Sequence, residues 1–328
     1  MQSWWMQMTD SSTSLELRDS PVPTAGPGQL LVRLHAAALN RGEFLIAHGL
    51  HGRNGSWKAI GSEGAGEVVA VGADVAGWRP GDRVMGRCPG AFSEYALMEA
   101  AEAMAVPAAL SWEQAASIPL AFLVAFDMLV LQGRLKAGEW LLINGVSSGV
   151  GVASLQLGKA LGANVIGTSG SAAKLAALAP LGLDVALRTR AADFAPSVMA
   201  ATARHGADLV VNTVGGSVFA EDVRVLAFEG RLATVGYVDA VMNAEIDLGA
   251  LHAKRLTLFG VSNKLRSTAQ RAAAVPRFVA EVVPLIASGR IEPRIDRVVD
   301  FGRLADAKAR MDENAHVGKI VLRMPAAS

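Results

Sequence analysis

Cysteine and net charge are the scarcest features of this sequence, and both narrow the possible functions. The 328 residues include a single cysteine, Cys88, which excludes an intramolecular disulfide and any zinc site built from several thiolates. The formal net charge is +1, so the composition gives no sign of binding to nucleic acid or to an anionic surface. Hydrophobic residues make up 51% and charged residues 19%, which is typical of a soluble protein with a substantial core.

Long apolar runs and an N-terminal targeting segment are lacking as well. The first residues, MQSWWMQMTDSS, have neither the basic stretch nor the apolar stretch of a secretion signal. The apolar run over residues 118–131 is interrupted by Pro119 and Asp127 and is too short to cross a bilayer. Together with the lone cysteine, these absences predict a cytoplasmic protein.

The pattern of apolar runs and turns changes near residue 115, and the length of the chain favours two domains. Before that point, short apolar runs such as LLVRLHAAAL and GEVVAVG alternate with proline and glycine turns, which predicts a compact β-rich domain. After it, apolar strands alternate with helical stretches, from LLIN and VASLQLGKALG, through DLVVN and VFAEDVRVLAFEG, to RLATVG and LTLFG. Strands joined by helices predict a doubly wound parallel sheet covered on both faces, an α/β fold.

These patterns predict a division of the chain into three segments. Residues 1–115 form the β-rich domain, residues 116–260 form the parallel-sheet domain, and residues 261–328 return to the first domain. The last segment is predicted to contain one long helix over Ser267–Ser288, followed by a strand, a helix and a final strand.

The stretch GVSSGVG directly follows the strand LLIN and opens the next helix, a context typical of a dinucleotide site. Such a site needs a tight turn, a backbone that can approach a pyrophosphate, and free N–H groups at the start of the helix. The candidate residues are Ser147, Ser148, Gly149, Val150 and Gly151. A glycine-rich turn without a ligand is the alternative interpretation.

The residues after the second strand of this domain favour one dinucleotide over the other. An NAD site usually places a carboxylate there for the ribose 2′-hydroxyl, whereas this chain has Thr168, Ser169 and Gly170. Lys174 follows in the next helix, and Arg188 and Arg190 follow the next strand; these cations suit a 2′-phosphate. The sequence therefore predicts NADPH as cofactor, with solvated surface cations as the alternative.

Further evidence comes from the order of several segments that together span nearly the whole chain. These segments are LLVRLHAAALNRGEF, GSEGAGEVVAVG, RPGDRVMG, GAFSEYALM, LSWEQAASIPLAFLVAFDML, GVSSGVG, DLVVNTVGG, GRLATVGY and GKIVL. In this order they resemble the medium-chain dehydrogenase/reductase superfamily, and specifically its zinc-independent quinone oxidoreductase (zeta-crystallin-like) branch. The resemblance implies a GroES-like β-rich catalytic domain, a Rossmann doubly wound parallel-sheet domain, an active-site cleft between them, and a homodimer paired through LTLFG.

The resemblance also bears on metal and substrate. Alcohol dehydrogenases of this superfamily place zinc ligands near Asn40–Glu43 and at the position of Ser62, where this chain has neither cysteine nor histidine, so no metal is expected. Without a Lewis acid, the hydride acceptor should already be electron-poor. A quinone is the first expectation and an α,β-unsaturated carbonyl (enal, enone or enoyl thioester) is the second. The third is a non-catalytic, NADPH-binding, crystallin-like protein.

By the same resemblance, Asn40 and Glu43 are the candidate catalytic residues beside the nicotinamide. Segments lining the nicotinamide ribose and carboxamide correspond to Thr213, Val214, Gly236, Tyr237, Phe259, Val261 and Asn263. The loop HGLHGRNGSWK, with His48 and His51, is a candidate cap over the substrate site; a solvated polar loop is an equal alternative.

Overall fold

The computed structural model describes residues 1–9, 13–44 and 55–326. The chain divides into two compact units. Unit 1 comprises residues 1–123, 264–288 and 293–328, and unit 2 comprises residues 124–263 and 289–292. Within the described ranges, no helix is both long enough and apolar enough to cross a membrane.

The strands, in chain order, are β1 (Gln2–Met8), β2 (Thr13–Asp19), β3 (Gln29–Ala38), β4 (Lys58–Ala59), β5 (Glu63–Val71), β6 (Arg83–Arg87), β7 (Tyr95–Glu99), β8 (Met104–Ala105), β9 (Trp140–Asn144), β10 (Asn164–Ser169), β11 (Val185–Arg188), β12 (Ala207–Asn212), β13 (Leu226–Thr234), β14 (Thr257–Gly260), β15 (Ile295–Asp300) and β16 (Lys319–Arg323). The α-helices are α1 (Trp112–Ala116), α2 (Pro119–Phe126), α3 (Gly149–Ala160), α4 (Ala172–Leu178), α5 (Ala195–Ala201), α6 (Gly216–Val225), α7 (Leu248–Ala253), α8 (Thr268–Ala272), α9 (Val275–Glu281), α10 (Val283–Ala287) and α11 (Leu304–Asp312).

Unit 1 is built from two sheets. A three-stranded antiparallel sheet has the order β2-β1-β4, and a larger sheet has the order β15-β16-β3-β5-β6-β8, with β7 also paired to β3. Residues from both ends of the chain, such as Met6, Leu30, Phe301 and Leu322, share one buried core. Segments 264–288 and 293–328 therefore complete the unit that the N-terminal residues begin. The unit extends past residue 115 because α1 packs on β3 and β5.

Unit 2 contains a parallel sheet in the order β11-β10-β9-β12-β13-β14. Counted from β9 along the chain, the order is 3-2-1-4-5-6, which is that of a dinucleotide-binding Rossmann sheet. Leu141, Leu142 and Ile143 in the central strand β9 are fully buried, as expected for a parallel strand with both faces covered. The prediction of a doubly wound parallel sheet in this half of the chain is confirmed.

Two predicted helices differ from the structure. The single helix predicted over Ser267–Ser288 is wrong: the segment forms α8, α9 and α10, with Pro276 and Pro284 in the first turns of the last two. Proline has no N–H to continue the preceding helix, so each proline starts a new one. The helix predicted through VFAEDVRVLAFEG ends at Val225, because the following residues enter β13, where Leu226 pairs with Ala207.

Candidate functional site

The carboxyl ends of the unit 2 strands form a continuous edge, which we call the carboxyl edge. Register across the sheet places Asn144 beside Thr168 and Asn212, and Thr234 beside Asn212 and Gly260. In open parallel sheets, ligands bind outside this edge where the strand order reverses. Here the reversal lies at β9, between β10 and β12.

The turn from β9 into α3 has the shape that a pyrophosphate requires. Gly145 adopts a φ of 76°, and the Ser148 side chain caps α3 by accepting from the Gly151 N–H at 3.0 Å. A β-carbon at Gly151 would lie 2.5 Å from the Gly145 carbonyl oxygen, so a side chain there would force the helix away from the turn. Ser147 precedes the cap, and Gly149 and Val150 begin the twelve-residue helix. The turn therefore presents the amino end of α3, with its unsatisfied N–H groups, at the carboxyl edge.

The end of β10 carries cations and no carboxylate. Thr168 and Ser169 are buried, and Ser169 lies opposite Arg188 in the parallel ladder. Gly170 lies directly beneath the Arg190 side chain, because a β-carbon at this position would clash with the Nε atom of Arg190. Half-buried Lys174 lies in the first turn of α4. Among the described residues, no carboxylate forms an ion pair with Arg188 or Arg190, which leaves both guanidinium groups available to an anion.

The remaining cofactor candidates follow β12, β13 and β14. Thr213 and Val214 come directly after β12, and the Thr213 hydroxyl donates to the Asn144 carbonyl at 2.8 Å. Gly236 packs against the Thr213 backbone, where a β-carbon would be 3.0 Å from the carbonyl oxygen. The other candidates are Tyr237 after β13, Phe259 within β14, and Val261 and Asn263 after it. The predicted cofactor residues thus gather along one edge of one sheet, while their binding role stays a prediction.

A buried polar network beneath this edge was missed by the sequence analysis. Asp222 of α6 is fully buried, and the Asn144 amide donates to its Oδ1 atom. The other side of the Asn144 amide accepts from the Thr168 hydroxyl at 2.9 Å. The Asn212 side chain holds the loop that follows β12, because its Oδ1 atom accepts from the N–H groups of Val214 and Gly215. The available signal was a polar residue ending each of two apolar strands, LLIN and DLVVN.

The catalytic candidate Asn40 in unit 1 belongs to a second buried network. Its Nδ2 donates to Glu63 Oε1 at 2.9 Å, and its Oδ1 accepts from the Lys319 ammonium at 2.7 Å. Lys319 also donates to Glu63 Oε1 at 2.7 Å, and Glu63 Oε2 accepts from the Leu120 N–H. Glu63 is fully buried and Lys319 is 6% exposed. The two opposite charges therefore fix the Asn40 amide in one orientation.

Glu43 is the second catalytic candidate, and its environment favours the protonated form. It lies in the short 3-10 helix Arg41–Phe44, is 3% exposed, and accepts from the Asn40 N–H at 2.9 Å. Burial raises the pKa of the Glu43 carboxyl to about 7, against the opposing effects of the Ser62 and Asn40 hydrogen bonds and the Lys319 charge. Glu43 can therefore gain or release a proton near neutral pH.

The residues at the positions of the superfamily's zinc ligands do not fit a zinc ion. Both Glu63 oxygens are occupied by Lys319, Asn40 and the Leu120 N–H, and the lysine ammonium lies where a cation would be bound. Cys88 is fully buried, and burial raises the pKa of its thiol, which favours the protonated form over a thiolate. The described residues contain no group of three or more His, Cys, Asp and Glu side chains that could hold a metal.

Residues 48–54 of the predicted cap over the substrate site lie outside the described residues. His48 and His51 fall in residues 45–54, so the cap stays a prediction from the sequence.

Family models match both halves of the chain. A model described as alcohol dehydrogenase GroES-like domain matches residues 26–108, and one described as zinc-binding dehydrogenase matches residues 149–278. The first model falls within unit 1, and most of the second falls within unit 2. The predicted fold class, a GroES-like β-rich domain with a Rossmann domain, is confirmed.

Two curated relatives are similar in sequence to most of this chain. The human synaptic vesicle membrane protein VAT-1 homolog is 31% identical over 324 residues, covering 94% of this chain and 82% of the relative. A phenolphthiocerol/phthiocerol polyketide synthase protein of Mycobacterium tuberculosis is 33% identical over 298 residues, covering 90% of this chain. The match spans only 14% of the length of that synthase protein.

Solved structures agree with this assignment over almost the full length. A quinone oxidoreductase from Pseudomonas syringae pv. tomato DC3000 superposes with a TM-score of 0.87 at 27% identity, covering 98% of this chain and 99% of that chain. A mycobacterial protein solved in complex with NADPH gives a TM-score of 0.87 at 27% identity, covering 98% and 100%. The chain belongs to the medium-chain dehydrogenase/reductase superfamily, in its quinone oxidoreductase-like branch.

Proposed function

We propose that this oxidoreductase is NADPH-dependent and zinc-independent and transfers hydride to a quinone. The observation that carries the cofactor choice is the position of Arg190 over Gly170 at the end of β10. An arginine there suits a 2′-phosphate, and the absence of a carboxylate from residues 168–174 removes the usual partner of the NAD ribose. The similar mycobacterial structure in complex with NADPH supports this choice.

Binding of the dinucleotide is assigned to the carboxyl edge of unit 2. The amino end of α3, from Ser148 to Gly151, receives the pyrophosphate through its N–H groups and positive dipole end. Arg190, Arg188 and Ser169 hold the 2′-phosphate, with Lys174 nearby in α4. When bound there, NADPH supplies the hydride, while the chain binds and orients the reactants and excludes water.

Two unit 1 residues are assigned to the acceptor. Reduction of a quinone to a hydroquinone takes up one hydride and one proton. Asn40, held by Glu63 and Lys319, has a fixed amide that can orient a carbonyl oxygen. Glu43 can hold the proton near neutral pH, because burial raises its pKa to about 7. The similar quinone oxidoreductase from Pseudomonas syringae supports the choice of acceptor.

The deciding experiment measures oxidation of NADPH by the purified protein with a small 1,4-quinone, with EDTA present throughout. Turnover that survives EDTA and is much slower with NADH is the expected result. Turnover that EDTA abolishes contradicts zinc independence, and equal rates with NADH contradict the cofactor choice. Failure to turn over any quinone in a broad panel contradicts the choice of acceptor.

A second candidate substrate class is the α,β-unsaturated carbonyls, including enoyl thioesters. The observation that favours it is 33% identity with a polyketide synthase protein over 90% of this chain. Saturation of such a double bond also requires one hydride and one proton, so the same residues serve it. A higher kcat/KM for 2-enals, enones or an enoyl thioester than for quinones would favour this class. Tight NADPH binding without turnover on either class would favour the non-catalytic, crystallin-like alternative.

We also propose a homodimer in which β14 pairs with the same strand of a second copy. This strand is the outermost of the unit 2 sheet beside β13, and its residues Thr257 and Gly260 are exposed. An edge strand with free N–H and C=O groups can add strands from another chain. Light scattering of the purified protein should give twice the mass of the 34.1 kDa chain, and a monomer would contradict the proposal.

A further inference from the structure

The network beneath the carboxyl edge joins the two segments assigned to the cofactor. Asn144, the last residue of β9, accepts from the Thr168 hydroxyl through its side chain and from the Thr213 hydroxyl through its main-chain oxygen. Thr168 begins the segment next to the 2′-phosphate, and Thr213 begins the segment next to the nicotinamide ribose. The remaining side of the Asn144 amide donates to Asp222. The orientation of the Asn144 amide is therefore set by the Thr168 hydroxyl on one side and by this carboxyl group on the other.

The environment of the Asp222 side chain favours its protonated form. Asp222 is fully buried, and its Oδ2 atom has no hydrogen-bond partner among the described residues. Burial raises the pKa of Asp222 well above its ordinary value, although the Asn144 and Asn212 amides oppose this effect. The charged neighbour that acts on it is Glu221, another carboxylate, which raises the pKa further.

Among the described residues, no cation forms an ion pair with Asp222. Helix α6 packs against α5, α7, β12 and β13. The titratable side chains of these elements are Asp208, Glu229, Arg231 and His252, and Asp239 accepts from the Ser217 N–H at the start of α6. Arg231 pairs with Glu139 at 2.7 Å, and Arg224 pairs with Glu221 at 2.6 Å. The Lys254 ammonium, which follows α7, donates to the carbonyl oxygens of Arg224 and Leu226 at 2.9 and 2.8 Å. Asp222 thus lacks the partner that would stabilise its ionised form.

We propose that Asp222 is a positioning residue of the dinucleotide site, which as a neutral carboxylic acid fixes Asn144 and through it Thr168 and Thr213. The inference rests on the proposed function, because it assumes that NADPH binds at this edge. An ionised Asp222 would be a buried charge with no cation partner among the described residues, which favours entry of water or of a new donor into the core. Cofactor affinity therefore depends on a group that does not touch the cofactor.

The test is a set of variants assayed by fluorescence titration with NADPH. Asp222→Leu keeps the approximate shape but leaves the Asn144 amide without its acceptor, so the Kd should rise about tenfold. Asn144→Leu should have a similar effect, and the double variant should lose about tenfold in total rather than about a hundredfold. Additive losses in the double variant would overturn the proposal, and so would an unchanged Kd in Asp222→Leu.

Asp222→Asn tests the protonation state, because the carboxamide has the shape and neutrality of the protonated acid. It should bind NADPH as the wild type does, both at pH 6 and at neutral pH. A loss of affinity in Asp222→Asn equal to that of Asp222→Leu would show that the anion is required. A wild-type affinity for NADPH that rises above that of Asp222→Asn as the pH increases would also show that the anion is required.

Asp208→Leu is the matched control for a general loss of stability. Asp208 lies at the opposite end of the sheet, in β12, where it accepts from the Trp140 N–H at 2.8 Å. Its substitution should lower the Tm and leave the Kd unchanged, whereas Asp222→Leu should change the Kd even at temperatures where both variants are fully folded. If the wild type itself fails to bind NADPH, the proposed function fails; if it binds and Asp222→Leu binds equally well, this inference alone fails.

Discussion

Each unit of this molecule buries a carboxylate completely, and the two units stabilise it in opposite ways. In unit 1, Glu63 accepts from Lys319, Asn40 and a backbone N–H, and forms a buried ion pair with the Lys319 ammonium. In unit 2, the neighbours of Asp222 are amides and a second carboxylate, Glu221, and burial raises the pKa of Asp222 well above its ordinary value. A buried acid keeps its charge where the fold supplies a cation and otherwise keeps its proton.

The largest expected effect comes from removing the cation of unit 1. Lys319→Met leaves Glu63 charged, buried and without its ion partner, which should lower the free energy of unfolding by roughly 3–5 kcal/mol. Urea unfolding followed by circular dichroism would measure the change. A loss below about 1 kcal/mol would mean that Glu63 can take up a proton as Asp222 does, and the contrast between the units would disappear.

Glu43 is an intermediate case, since burial raises its pKa while the charge of Lys319 lowers it. Its folded pKa of about 7 exceeds its ordinary value of 4.5, so folding favours the protonated form. The stability that it contributes is full below pH 4.5 and is lost as the pH rises through 7, by up to roughly 3 kcal/mol.

Glu43→Gln should remove this part of the pH dependence of the free energy of unfolding and leave the remainder unchanged. Denaturant unfolding at several pH values between 4.5 and 8 would measure it for both proteins. Equal slopes in the wild type and the variant would place the pKa of Glu43 in its ordinary range and remove it as a proton carrier.

A smaller effect is expected from removing a cation that is available to bind a ligand. Arg190 forms no ion pair with the described carboxylates, unlike Lys319, so its removal should cost binding rather than stability. Arg190→Leu should raise the Kd for NADPH about tenfold and leave the Kd for NADH unchanged. Lys136→Met, an exposed lysine ahead of β9, is the control for loss of one positive charge. Equal losses for both dinucleotides would contradict the 2′-phosphate assignment.

The smallest effect is expected for an exposed ion pair. Arg277 and Glu281 lie one turn apart in α9, with side chains 52% and 44% exposed. Arg277→Met should change the free energy of unfolding by at most about 0.5 kcal/mol, because solvent screens such pairs. A loss comparable with that of Lys319→Met would show that burial does not separate the two kinds of ion pair.

The sequence predicted the fold of unit 2 because its signals are local. Strands such as LLIN are continuously apolar, and the helix that follows GVSSGVG begins within a few residues of them. In the C-terminal segment the local signals conflicted. The prolines Pro276 and Pro284 mark the starts of new helices, but the apolar pattern continues across them, so the prediction joined α8, α9 and α10.

Local sequence patterns could not predict the two buried networks. Lys319 and Glu63 are 256 residues apart, and Asn144 and Asp222 are 78 residues apart. Each residue alone resembles an ordinary surface polar residue, and only the pairing of distant strands and helices shows that all four are buried. The placement of Arg190 over Gly170 likewise depends on how β10 and β11 pair.

The discontinuity of unit 1 has a consequence for synthesis on the ribosome. Except for residues 289–292, unit 2 is complete once Asn263 has emerged, whereas unit 1 still lacks β15 and β16. Until Lys319 follows, Glu63 has no cation to pair with, and the N-terminal strands cannot close their core around it as a charged group. We therefore expect the middle of the chain to reach its native structure first, and the nascent N-terminal strands to depend on chaperones meanwhile.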